Sequence, residues 1–84
     1  MSRKEVAERL KGLLVGGVGI SEELLNSEQL ALVGDDGIMD SVAVLRLIIE
    51  LEKEFGIIIA DDDIRPENFH NLSCLIDYVQ RKLR

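Results

Sequence analysis

Residues 40–56 read DSVAVLRLIIELEKEFG, and this stretch decides the fold. Its apolar residues recur every three or four positions, which is the spacing of one face of an α-helix. At about 100° per residue, the five that share one side and should be core are Val44, Leu47, Ile48, Leu51 and Phe55. Gly56 marks the expected end, because glycine readily takes the left-handed backbone conformation that closes helices. The stretch therefore predicts an amphipathic helix from Ser41 or Val42 to Phe55.

A narrow stripe on the opposite side of this helix carries two branched aliphatic residues, Val42 and Ile49, and two cations, Arg46 and Lys53. Single exposed apolar residues are common on protein surfaces, whereas a cluster of them often marks an interaction site. Two interpretations therefore stay open for the stripe: an ordinary solvated surface, or a surface that contacts a partner.

Ser41 lies at the predicted N-terminus of this helix, next to the carboxylate of Asp40. Either side chain could cap the helix by accepting a backbone N–H. Nucleophilic catalysis by a serine needs a general base and a group that orients it. The only histidine, His70, belongs to a separate short segment and has no evident carboxylate partner. The sequence therefore predicts no catalytic residue, and Ser41 is better suited to being modified than to acting as a nucleophile.

The first helix is predicted from Arg3 to Val15. Ser2 and Glu5 form a capping-box pattern at its start, in which each side chain accepts the other's backbone N–H. Gly16-Gly17 is expected to end it.

The rest of the chain predicts a long loop followed by short elements. Residues 16–40 hold most of the seven glycines, and their scattered apolar residues suggest that the loop packs on the bundle, with a helical turn near Ser27 to Leu32. Ile57–Ile59 is read as an extended linker that buries one or two isoleucines. Pro66 should begin a short third helix, and Asn71 should cap the last one. The prediction is an all-α four-helix bundle, with three main helices and a short third one, forming a single domain over residues 1–84.

Composition narrows the class of protein. A net charge of −6 argues against binding nucleic acid, which needs clustered Lys and Arg. The one cysteine, Cys74, rules out an internal disulfide and favours a reducing compartment. No apolar run reaches the roughly 18 residues of a membrane span, and no signal peptide is evident. A soluble cytoplasmic protein is expected.

The acidic clusters do not predict a metal site. Calcium-binding loops alternate oxygen ligands around a glycine and end in a bidentate glutamate. Asp35-Asp36 lacks that pattern, and Asp61–Asp63 is better explained as the start of a short helix, where carboxylates suit the positive end of the dipole.

Three segments together resemble the central part of an acyl carrier protein sequence. They are Gly37 to Val42, with Asp40-Ser41 inside it, the helical stretch from Leu45 to Ile57, and the segment from Asp62 to Leu72 that contains Pro-Glu-Asn-Phe. The resemblance implies the four-helix carrier fold and a carrier that is not itself an enzyme. It implies that Ser41 receives 4′-phosphopantetheine from coenzyme A through a phosphopantetheinyl transferase, with Asp40 as a positioning residue. The thiol of that arm would hold acyl or aminoacyl groups as thioesters.

The same resemblance implies that the second helix is the partner surface. The residues concerned are Val42, Arg46, Ile49, Glu50 and Lys53. Fatty-acid carriers typically read Asp-Ser-Leu and are acidic along this helix, whereas here Val42 replaces the leucine and Arg46 and Lys53 are basic. We therefore expect a carrier of a specialised pathway, such as polyketide or nonribosomal peptide synthesis. The resemblance also implies that the protein is a monomer. Its partners would be the transferase, a loading ligase or acyltransferase, and downstream biosynthetic enzymes.

One alternative from a different class stays open. A helical adaptor without a prosthetic group would use Val42 and Ile49 to bind its partners, and Ser41 would be an ordinary helix cap.

Overall fold

The computed structural model describes all residues from Met1 to Arg84, and it is all-helical, as predicted. The four α-helices are α1 (Arg3–Leu13), α2 (Ser41–Phe55), α3 (Pro66–Phe69) and α4 (Leu72–Lys82). A π-helical turn, Leu14–Val18, continues α1, and short 3₁₀ turns occupy Glu22–Asn26 and Asp61–Asp63. None of these helices has the length and apolar character required to cross a membrane.

Side chains cap the helices where the sequence predicts it. The Ser2 hydroxyl accepts the Glu5 N–H at 3.1 Å, and the Glu5 carboxylate accepts the Ser2 N–H at 3.4 Å, which completes the capping box. The Asn71 side chain accepts the Cys74 N–H at 2.9 Å at the start of α4. Pro66 is the first residue of α3. These local bonds fix the helix starts independently of the core.

The end of the first helix differs from the prediction. Gly16 and Gly17 do not terminate it, since the winding continues to Val18 and stops at Gly19, whose φ is +89°. Gly17 packs against α2, where a Cβ at this position would lie 3.0 Å from Oε1 of Glu50. Of these two glycines, only Gly17 lies where α2 approaches, whereas a Cβ at Gly16 would meet open space. Gly19 is the glycine that ends the helix.

The helical turn predicted near Ser27 to Leu32 is also misplaced. The turn that forms is Glu22–Asn26, which begins with acidic residues and buries Leu25. In the predicted stretch, the Ser27 hydroxyl instead accepts the Gln29 N–H at 3.2 Å. Such a local side-chain bond offers the backbone an alternative to the helix.

The long loop does pack on the bundle, as expected. The Leu32 N–H donates to the carbonyl of His70 at 2.7 Å, and the Met39 N–H donates to the carbonyl of Leu32 at 2.9 Å. Leu25, Leu32 and Met39 are all buried in the core. The loop therefore delivers residue 40 to a defined place at the start of α2.

One cluster of 18 buried apolar residues forms the core. From α2 it takes Leu47, Leu51 and Phe55, while the predicted core residues Val44 and Ile48 are only half-buried and pack against its edge. The linker after α2 alternates as an extended chain must: Ile57 and Ile59 are buried and Ile58 is 81% exposed. The opposite side of α2 is left to solvent.

A polar network ties the turn at Asp61–Asp63 to α4. The Tyr78 hydroxyl donates to Oδ2 of Asp63 at 2.8 Å, and Nζ of Lys82 lies 3.7 Å from the same atom. The guanidinium of Arg81 lies 5.9 Å from the centre of the Tyr78 ring. Burial raises the pKa of Tyr78 above its ordinary value, and the hydrogen bond to the Asp63 carboxylate raises it further.

The raised pKa makes stability sensitive to alkaline pH. Because the folded chain keeps its phenol protonated where the unfolded chain loses the proton, stability is full below about pH 10 and falls as pH rises further. Urea unfolding between pH 8 and pH 11 should show this decline, and Tyr78→Phe should lack this component of it. Tyr78 is the only tyrosine, so absorbance titration reports its pKa directly. A midpoint at or below 10 in the folded protein would contradict the prediction.

Candidate functional site

Asp40, and not Ser41, caps α2. Its Oδ1 atom accepts the Ala43 N–H at 2.8 Å, and its carbonyl accepts the Val44 N–H at 3.0 Å. Its backbone is extended, with φ −82° and ψ 179°, as expected of a capping residue. Ser41 is therefore the first residue of the helix proper. The interpretation of Ser41 as an ordinary cap, which the adaptor alternative included, is wrong.

The Ser41 hydroxyl takes no part in the fold. The side chain is exposed and makes no hydrogen bond with any other residue. The N–H groups of Ser41 and Val42 also lack an acceptor. A free hydroxyl thus lies beside two free donors at the positive end of a 15-residue helix. This arrangement favours an anionic group attached to the hydroxyl.

No catalytic machinery surrounds this serine. His70 lies at the C-terminal end of α3, where its carbonyl accepts backbone N–H groups of the long loop, and it makes no bond to Ser41. No three His, Cys, Asp or Glu side chains come together as metal ligands would. Asp63 in the acidic triplet bonds Tyr78 and Lys82 instead. The site can accept chemistry performed by another protein.

An exposed apolar ridge runs along α2 from the turn that contains Ser41. Val42 is 71% exposed, Leu45 62% and Ile49 55%, and their spacing of three and four residues makes them neighbours on the helix surface. Arg46 and Lys53 flank the ridge and are exposed as predicted. Leu45 is not among the residues predicted for the partner surface, because the predicted stripe contains only residues directly opposite the core. Its angular position, between Ser41 and Ile49 on the helix, would have revealed it.

Glu50, the remaining residue of the predicted partner surface, does not lie on this ridge. It is half-buried, with its side chain against Gly17. It lines an open groove of about 610 Å³ between α1 and α2, together with Arg9 and Glu54. The structure therefore separates Glu50 from Val42, and only Lys53 borders both the groove and the exposed face.

The fold and site together are those of a small helical bundle whose longest helix begins with an exposed serine hydroxyl that the fold does not use. The family model described as "Phosphopantetheine attachment site" matches residues 8–79. The chain is 28% identical over 82 residues to an acyl carrier protein of Thermotoga maritima, covering 98% of this chain and 96% of the relative. It is 29% identical over 82 residues to one of Chlorobium phaeobacteroides, covering 98% and 100%.

A solved structure of an acyl carrier protein from Enterococcus faecalis has the same fold. Its TM-score is 0.69 at 29% identity, with 98% of this chain and 99% of that chain covered. The chain belongs to the acyl carrier protein family. It is a carrier and not an enzyme, its prosthetic group is 4′-phosphopantetheine, and its partners are a phosphopantetheinyl transferase and biosynthetic enzymes.

Proposed function

We propose that Ser41 is the residue that carries the 4′-phosphopantetheine arm. The observation that carries this proposal is the free hydroxyl of Ser41, which is the first residue of α2 and directly follows the capping residue Asp40. Other serines within the family match are less suitable. The hydroxyls of Ser27 and Ser73 each accept a hydrogen bond within the fold, and Ser21 precedes only a five-residue 3₁₀ turn.

The residues around Ser41 fit the group. The free N–H groups of Ser41 and Val42 suit the oxygens of a phosphodiester. Asp40 acts as a positioning residue, because its cap fixes where the helix begins and so where the hydroxyl projects. When attached, the arm supplies a thiol that holds the cargo as a thioester.

The experiment is an intact-mass measurement of the unmodified protein after incubation with coenzyme A, Mg²⁺ and a promiscuous phosphopantetheinyl transferase. We expect a gain of one phosphopantetheinyl group, and fragment spectra should place it on Ser41. Attachment to any other serine, or no gain with several transferases on folded protein, would overturn the proposal.

The enzymes that use the arm are proposed to contact α2 beside it. Val42 and Ile49 provide apolar contact, Arg46 and Lys53 provide charge at the margin, and Glu50 contacts only partners that reach into the groove beside α1. Transient interfaces typically combine a small apolar centre with a polar rim. The ridge along α2 has that composition.

We further propose that the carrier serves a specialised pathway, such as polyketide or nonribosomal peptide synthesis, and is loaded by a dedicated ligase or acyltransferase. The support is the exposed face of α2, where Val42 follows the serine and two cations, Arg46 and Lys53, stand without paired acids. A malonyl transferase of fatty-acid synthesis should load the modified protein about tenfold more slowly than it loads its own fatty-acid carrier, a loss equivalent to about 1.4 kcal/mol. Equal rates would contradict this assignment.

A further inference from the structure

None of the three carboxylates of α2 pairs with the cations beside its exposed ridge. Glu54 pairs with Arg9 of α1, with 3.3 Å between Oε2 and Nη1. The Glu52 side chain accepts the Ile59 N–H at 2.9 Å. Glu50 lies against α1 in the groove. Although the chain carries a net charge of −6, the carboxylates of this helix contact α1 and the following linker and leave its two cations unpaired.

The two cations of α2 are in the opposite situation. Arg46 and Lys53 are exposed and form no ion pair or side-chain hydrogen bond. They lie about 10 Å apart along the axis, at about 1.5 Å per residue, and Ile49 is between them. In a chain with an excess of carboxylates, two unpaired cations on one helix face are available to a binding partner.

The apolar ridge beside these cations occupies the first half of α2. The ridge of Val42, Leu45 and Ile49 runs for two turns from the start of the helix. The bond between Glu52 and Ile59 holds the following linker against α2, one helical turn beyond Ile49. Ile58, which precedes Ile59 in this linker, is the most exposed of the large apolar side chains.

We propose that this ridge docks on an enzyme surface whose apolar depression is bordered by Asp or Glu side chains, which pair with Arg46 and Lys53. The proposal rests on attachment of the arm at Ser41, since the arm brings the enzyme to this face. Complementary charge excludes wrong partners, because like charges brought together at an interface are costly. An enzyme with a basic surface would be attracted by the overall charge of the chain and then repelled at the ridge.

A charge-reversal cycle tests the proposal. The probe is a phosphopantetheinyl transferase of known structure with Lys or Arg on its carrier-facing surface, together with its variant in which two of those residues are Glu. The kcat/KM for modification is measured for the wild-type chain and for Arg46→Glu/Lys53→Glu. We expect the acidic transferase variant to modify the wild-type chain about tenfold faster than it modifies Arg46→Glu/Lys53→Glu. The basic transferase should show the opposite preference.

The matched control is Lys4→Glu/Lys11→Glu, which changes the net charge equally. Both lysines border a depression beside α1 that includes no residue of α2. This control should shift the rates with both transferases by much less than the ridge variant does, and circular dichroism should show that all variants are folded. Modification without coupling between the two charge reversals, or an equal effect of the control, would overturn the docking proposal alone. No modification in any pair would overturn attachment at Ser41 and the docking proposal with it.

Discussion

Ser41→Ala is expected to abolish phosphopantetheinylation completely while leaving the stability of the fold unchanged. The hydroxyl is the proposed acceptor, so no group can be added without it. The hydroxyl also makes no hydrogen bond in the structure, and surface substitutions of this kind usually change the free energy of unfolding by less than about 0.5 kcal/mol. Intact mass and urea unfolding of the same preparation measure both effects.

Asp40→Ala supplies the contrasting control. It removes the carboxylate that accepts the Ala43 N–H, and loss of an N-cap typically costs about 1 kcal/mol. Asp40→Asn should retain most of the stability, because the amide oxygen can still accept that bond. If Ser41→Ala lost as much stability as Asp40→Ala, the division of roles between these two residues would be wrong.

Phe69→Ala is expected to lower the free energy of unfolding by about 3–5 kcal/mol. Phe69 is fully buried and is the last residue of the short helix α3. Its ring centre lies 5.5 Å from that of Tyr78 in α4. Truncation would leave a cavity between α3 and α4. For a domain of this size, that loss is a large share of the total stability.

Urea unfolding of two further variants checks the mechanism. Phe69→Leu should retain most of the stability, since it fills most of the volume. Ile58→Ala removes an equally apolar but exposed side chain and should change stability by less than about 0.5 kcal/mol. Similar losses for Phe69→Ala and Ile58→Ala would show that the core has been assigned wrongly.

Local patterns predicted much of this fold. The start and end of α2, the capping box at Ser2, the cap at Asn71 and the proline at the start of α3 all depend on neighbours within a few residues. The alternating burial of Ile57–Ile59 follows in the same way from the geometry of an extended chain. Such features can be predicted from the sequence because the interacting residues are close along the chain.

The remaining features depend on contacts between distant segments. Gly17 could not be distinguished from a helix end, because its role is set by Glu50 on another helix. The place of Glu50 in the groove beside α1 was not predictable for the same reason, since periodicity shows which side of α2 is core but not which flank another helix covers. The choice between Asp40 and Ser41 as the cap required the orientation in which the loop enters the helix.

Because Asp40 and not Ser41 caps α2, folding of the chain does not depend on modification of the serine. Because the fold makes no use of the serine hydroxyl, newly made chains do not need the arm in order to mature. With the arm attached at Ser41, as proposed, one transfer reaction would convert the folded, unmodified chain into the active carrier. Removal of an arm attached there would leave the same helix cap and core in place, so modification at Ser41 would be reversible without unfolding.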